Sequence, residues 1–255
     1  CSLAPKYERP AAPVAATFPQ APAAVASQAA AADIGWQDFF ADARLKRLIQ
    51  IALDNNRDLQ VSALNVQRAQ AQFRIQRAAQ LPTLNGAITE SRQSPGGSEN
   101  VATIGVGITS YELDFFGRIQ SLKDAALSTY LANEATRKTA QISLVSSVAT
   151  GYLTLLADDQ LLRVTRDTLQ TREDSFKLTQ LKFDNGVSSE LDLRQSEGLV
   201  ESARASLAQL ERQRAQDLNA MVLLLGTPTW PADVPLDGRA PVSYTHLRAH
   251  ETRGN

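Results

Sequence analysis

The stretch Val101-Ala102-Thr103-Ile104-Gly105-Val106-Gly107-Ile108-Thr109-Ser110-Tyr111-Glu112-Leu113, running on through Asp114-Phe115-Phe116-Gly117-Arg118, decides the fold. From Val101 to Leu113 the residues alternate. A strand there puts Ala102, Ile104, Val106 and Ile108 on one face and Thr103, Gly105, Gly107 and Thr109 on the other. An apolar face opposite a small, polar one suits a wall between lipid and water. After Arg118 the pattern becomes helical, with no proline for about 67 residues.

Working upstream, about Thr83 to Arg92 makes a first strand, and Ser94-Pro95-Gly96-Gly97-Ser98-Glu99-Asn100 has the composition of a loop that closes a hairpin. A lone hairpin is only marginally stable, so these strands require partners. Before them, Asp42 is placed to cap a short helix to about Leu53, interrupted at Asn55-Asn56, and Asp58 to cap a second one to about Leu81. Leu59, Val66 and Phe73 fall at heptad spacing in that second helix, and Ala69 and Ala79 allow close approach of a neighbour. Pro82 stops it.

In the long helix, Ile142, Val145, Ala149, Tyr152 and Leu156 make a coiled-coil seam; Gly151 inside it is tolerable at about 1 kcal/mol. Asn185-Gly186 supplies a turn and Ser188 or Ser189 a cap for a last helix to Leu225, with Leu193, Val200 and Leu207 on a heptad line. Gly226, Pro228 and Pro231 end it. The helices on either side of the central one have about 24 and about 37 residues, nearly matching its 67, so they could stack end to end along a rod about 100 Å long. The hairpin would then cap one end and Asn185-Gly186 the other. Because an open sheet edge is forbidden in lipid, several chains must contribute strands to one closed barrel. The expected fold class is mainly α: long coiled-coil-like helices with an inserted β-hairpin.

Composition narrows the function. Over 255 residues the formal net charge is −1 and the pI near 6.2, which gives no electrostatic case for nucleic acid. The purely apolar runs, such as Met221 to Leu225, are far shorter than the roughly 20 residues of a spanning helix, so a spanning segment is expected to be a strand. The single cysteine is Cys1, which excludes an intrachain disulfide. With Met221 the only methionine, Cys1-Ser2-Leu3-Ala4-Pro5 reads as a lipoprotein N-terminus after signal removal, and a thiol at an arbitrary boundary is the alternative. Residues 1–32, Ala- and Pro-rich, form a lipidated extended tether, and 33–57 and 226–241 form segments that meet at mid-height around the repeat 58–225.

Val242 to Thr252 resembles a sequencing adapter translated in frame, so 242–255 is expected to be non-biological. His246 and His250 both lie there, which removes the His-x-x-x-His spacing as a metal motif. Setting the tail aside removes Arg248, Arg253 and Glu251 and shifts the net charge only to −2.

These residues resemble the outer-membrane efflux proteins of bacteria, the TolC-like outer-membrane factors, and especially their lipoprotein branch. The likeness spans 1–241. It rests on the Cys1 to Pro10 start, Trp36-Gln37-Asp38-Phe39, Ala52 to Leu59, Leu81-Pro82-Thr83-Leu84, Tyr111 to Arg118, Phe183 to Asp192 and Leu224-Leu225-Gly226, in this order and spacing. The resemblance implies a trimer of proteins with two helix-strand repeats each, joined into a twelve-stranded outer-membrane barrel continued by a periplasmic helical tunnel. This chain looks like the first repeat. By the same resemblance, Gly186, Val187 and Ser188 belong to the tip that meets a periplasmic adaptor, fed by an inner-membrane pump, and Asp192 helps constrict the tunnel. Alternatively, Asp192 is an acid favoured by a helix N-terminus.

Tyr111, Phe115 and Phe116 are rim aromatics or packing residues, with packing expected for at least one Phe. Arg118 is placed to pair with Asp114. Two functions compete. A passive efflux conduit, with no cofactor and no covalent chemistry, explains strands set between helices. A structural or adaptor coiled-coil lipoprotein does not, and the lipoyl-like β segments of an adaptor are missing. An enzyme is least favoured: residues 1–241 lack histidine, and no phosphate loop or metal-ligand cluster occurs.

Overall fold

The computed structural model describes residues 7–11, 13, 34–93, 99–108 and 111–236. Cys1, most of the tether and the 242–255 tail lie outside these residues. The elements run α1 (Trp36–Phe39), α2 (Ala43–Asn55), α3 (Arg57–Ala78), β1 (Leu84–Gln93), β2 (Glu99–Ile108), α4 (Arg118–Asp184) and α5 (Glu190–Leu225). They fall into two compact units, one containing residues 61–139 and the other residues 34–60 and 140–236.

In the first unit α3 lies beside the start of α4. Gln80 Nε2 donates to Gln120 Oε1 at 2.8 Å, and Ala69 is buried. The heptad residues Val66 and Phe73 are half-buried on the same side as Ala69. Val61, Leu64 and Ile75 are exposed, so α3 carries a second apolar stripe that nothing in the chain's described residues covers. Asp58 does not cap α3. Asn56 does, its Oδ1 accepting from the Leu59 N–H at 3.0 Å, because α3 starts at Arg57 and Asp58 is already inside the first turn. The helix ends at Ala78, three residues earlier than Leu81.

The second unit holds the core. Leu45, Leu48, Ile49 and Ala52 of α2 pack with Leu144, Val148, Tyr152, Leu155 and Leu156 of α4, with Met221 and Leu225 of α5, and with Val234. By length and composition alone α4 could cross a membrane, which the short apolar runs had not suggested. One third of its apolar stretch is buried, the stripe that Leu144, Val148, Tyr152, Leu155 and Leu156 turn toward α2 and α5. Ile142, expected in the seam, is exposed; Leu144, two residues on and therefore on another face, is buried in its place. On α5, Leu193 and Val200 are buried and Leu207 half-buried, as the heptad line predicts.

Two polar anchors fix this core. Asp42 caps α2 through Arg44 N–H at 2.8 Å, and its second carboxylate oxygen accepts from the Tyr152 hydroxyl at 3.0 Å. Burial and then that bond push the phenol up to about 12, so it stays a donor at neutral pH. The 226–236 segment folds back onto α2, where Arg47 pairs with Asp233 at 2.8 Å. Gly151 also has a specific reason to lack a side chain. A Cβ there would lie 2.4 Å from Met221 Sδ, so the helix-propensity cost of glycine is offset by close α4–α5 packing.

Candidate functional site

The hairpin register decides what the strands can face. β1 and β2 are antiparallel, with Leu84 opposite Ile108, Gly86 opposite Val106, Ile88 opposite Ile104 and Glu90 opposite Ala102. Opposed residues share a face, so the apolar set read from β2 alone is matched by Leu84 and Ile88 across the ladder. Ile88, Ile104 and Val106 are each more than three-quarters exposed. The reverse face pairs Asn85 with Gly107, Ala87 with Gly105, Thr89 with Thr103 and Ser91 with Val101. It is small or polar at every described position except Val101. β2 ends at Ile108 and not at Leu113. Tyr111–Leu113 lies past the last ladder partner, since β1 begins at Leu84, and without a partner there is no strand to continue.

The residues that follow form a junction. Asp114 accepts from Gln120 N–H at 2.9 Å, and this bond, with further amides of the α4 N-terminus, holds its carboxyl below the usual range. Arg118 therefore does not pair with Asp114. It forks onto both oxygens of Glu112, with Nε to Oε1 at 2.9 Å. The four-residue spacing that suggested Asp114 applies on a helix, and residues 111–117 are not helical. Phe115 and Phe116 are both strongly exposed, so neither packs as expected within this chain.

At the α4–α5 turn, Gly186 has φ +73°; its N–H donates to Phe183 O and the Val187 N–H to Lys182 O, which satisfies the last carbonyls of α4. Val187 is 76% exposed and Leu191 is exposed beside it. Ser189, not Ser188, caps α5: its hydroxyl accepts from Asp192 N–H at 3.1 Å, while Asp192 Oδ2 accepts from Ser189 Oγ at 2.7 Å, Ser189 N–H at 3.2 Å and Ser188 Oγ at 3.2 Å. The Ser189 hydroxyl is the main cause that keeps the Asp192 carboxyl below the usual range. Its contribution to the turn is thus complete at neutral pH and is lost only as pH falls through that lowered value. Replacing Ser189 by alanine is expected to cost about 1 kcal/mol, measured as a drop in the denaturation midpoint with an unchanged m-value.

Ile104, Val106 and Ile108 thus share one strand face in the first unit, and Gly186, Val187, Ser188 and Asp192 share one turn in the second. The sequence did not single out Leu84 and Ile88, which only the register reveals, or the Glu112–Arg118 fork, whose partners are six residues apart on irregular chain.

Long packed helices carrying a hairpin with one apolar and one small, polar face are the architecture of outer-membrane channel subunits. The outer membrane efflux protein family matches residues 48–227, and the chain belongs to it. It is 45% identical over 246 residues to the probable efflux pump outer membrane protein TtgC of Pseudomonas putida, covering 92% of this chain and 51% of TtgC. It is 44% identical to the outer membrane protein OprJ of Pseudomonas aeruginosa, with the same two coverages. Among solved structures, it resembles a Pseudomonas aeruginosa membrane protein at 42% identity and TM-score 0.75, over 89% of this chain and 52% of that one. The open state of the Neisseria gonorrhoeae MtrE outer membrane channel matches at 34% identity and TM-score 0.76, over 97% and 57%. The chain spans about half the length of the curated relatives it matches. That agrees with one repeat of a two-repeat channel, the fold expected from its motifs.

Proposed function

We propose that the complete protein is the outer-membrane channel of a tripartite efflux system, a passive conduit for small molecules or drugs, and that this chain is its first repeat. The observation that carries this is the hairpin register, which brings Leu84, Ile88, Ile104, Val106 and Ile108 together on one face, with Glu90, Arg92 and Asn100 on that face only toward the loop end, while the other face is small or polar except at Val101. In the proposal Ile104, Val106 and Ile108, with Leu84 and Ile88, face lipid, and Thr103, Gly105 and Gly107 face water. Three copies supply two strands each from this repeat and as many from the second, closing the barrel that an open edge cannot form.

The exposed Val187 beside Gly186 and Ser188 supports docking of a periplasmic adaptor at this turn, with an inner-membrane pump driving substrate through it. Cys1 carries the lipid that holds the N-terminus to the outer membrane, and residues 1–32 give it reach. Asp192 adds a fixed negative charge at the tunnel entrance. No cofactor and no catalysis enter this mechanism. Purified as a trimer and placed in a planar bilayer, the complete protein is expected to conduct ions; a trimer that leaves the bilayer electrically silent would refute the channel. Asp192→Asn keeps an acceptor oxygen for the Ser189 N–H and removes the charge, so it is expected to change single-channel conductance while costing only the small part of the turn's stability that the ionised carboxylate supplies. Unaltered conductance would leave Asp192 with the capping role alone.

A further inference from the structure

The contact between α4 and α5 carries a ladder of ion pairs at heptad spacing on α4: Asp159 with Arg214, Arg166 with Glu211 at 2.9 Å and Glu173 with Arg204 at 2.9 Å. This antiparallel register sets Asp158, next to the first rung, against Asp217, one turn on from Arg214. Gln213 Nε2 donates to Asp217 Oδ2 at 2.9 Å. Asp158 Oδ2 is buried and has no hydrogen-bond partner. The charged groups around Asp158 are thus Asp159 on its own helix and Asp217 and Arg214 on α5, with Arg214 held by Asp159. Arg163 and Arg166 lie further along α4, lining a hollow with Asp159, Asp167 and Leu236. None of these groups is used by the channel function.

We propose that Asp158 and Asp217 form a proton-sensitive clasp between α4 and α5, closed when the two carboxyls share one proton and strained when both are ionised. The proton comes from solvent. In the closed form one carboxyl donates to the other, which satisfies a buried oxygen; in the ionised form two carboxylates repel, with one Asp158 oxygen shut off from water. Burial, then the contact with Asp217, pushes the Asp158 carboxyl up from its ordinary value, and Arg214 opposes this. The folded protein therefore keeps the proton to higher pH than the unfolded chain does. Stability supplied by the clasp is full below the ordinary aspartate value and is lost as pH rises through the raised one.

The test is thermal unfolding of the complete protein in detergent, at about pH 3.5, below the ordinary aspartate value, and at about pH 8, well above it. Asp158→Asn mimics the protonated form. It is expected to raise the midpoint by on the order of 2–4 °C at the higher pH and by almost nothing at the lower one. Asp217→Asn should do the same, and the double variant should gain no more than either. A gain equal at both pH values, or absent from both, overturns the proposal. If neither variant yields folded protein, carboxyl carbon NMR of the wild-type protein decides: Asp158 titrating above the ordinary aspartate range supports the clasp, and an ordinary titration overturns it.

Discussion

Gly226→Ala is expected to destabilise the fold by about 2–5 kcal/mol, read from the midpoint of chemical denaturation. Two separate costs act. Gly226 has φ +67°, in the left-handed region that an L-residue enters at about 1–2 kcal/mol. A Cβ at this position would also lie 2.5 Å from Asn55 O, 2.8 Å from Asn55 C and 3.2 Å from Asn56 N, all backbone atoms that no rotamer change can move. The close approach exists because Asn56, the buried polar residue joining α2 to α3, donates from Nδ2 to Leu224 O at 3.0 Å, tying the end of α5 to that joint. Gly186 is the control. Its φ of +73° is similar, but nothing lies within 4 Å of a Cβ there. Asparagine, which tolerates the left-handed region, should therefore be accepted at Gly186 and rejected at Gly226. If asparagine is equally harmless at both, the backbone contact with Asn55 is not what selects glycine at Gly226.

How much of this was readable in advance depends on whether the information was local. The break from the α4 pattern to the α5 pattern at Asn185-Gly186, the cap at Asp42 and the alternation of β2 follow from neighbouring residues, and the structure shows each of them. Errors came where a choice depended on distant partners. β2 could not be ended from its own alternation, because its length is set by where β1 starts. Ile142 and Leu144 both suit a helix stripe, and the position of α2 chooses between them. Arg118 had two acids within reach; the helix N-terminus took Asp114 and left Glu112. At the candidate site, alternation gave the face of β2 but not its partners, and the pairing of Leu84 with Ile108 and Ile88 with Ile104 is what turns a patterned strand into a two-sided wall.

A charge on one face of that wall should be far more damaging than the same charge on the other. Ile104 and Thr103 are adjacent in β2, near the middle of the ladder, and occupy opposite faces. If Ile104 meets hydrocarbon, Ile104→Arg costs about 2–4 kcal/mol in each copy of the proposed trimer, because an arginine at mid-depth loses its hydration. Thr103→Arg places the same guanidinium in water and costs little. In the complete protein, Ile104→Arg is therefore expected to leave little or no trimer in the outer-membrane fraction. Thr103→Arg should assemble normally and lower cation conductance, since positive charge then lines the pore. The opposite ranking would mean that the faces are reversed, and equal tolerance would mean that the hairpin does not enter the membrane. A second pair separates the lipid contact from general stability: Ile88, opposite Ile104, should reproduce its loss as Ile88→Arg, whereas Thr89→Arg, opposite Thr103, should behave like Thr103→Arg. Agreement across both strands would follow only from a shared lipid face, because a defect confined to one strand has no reason to respect the register.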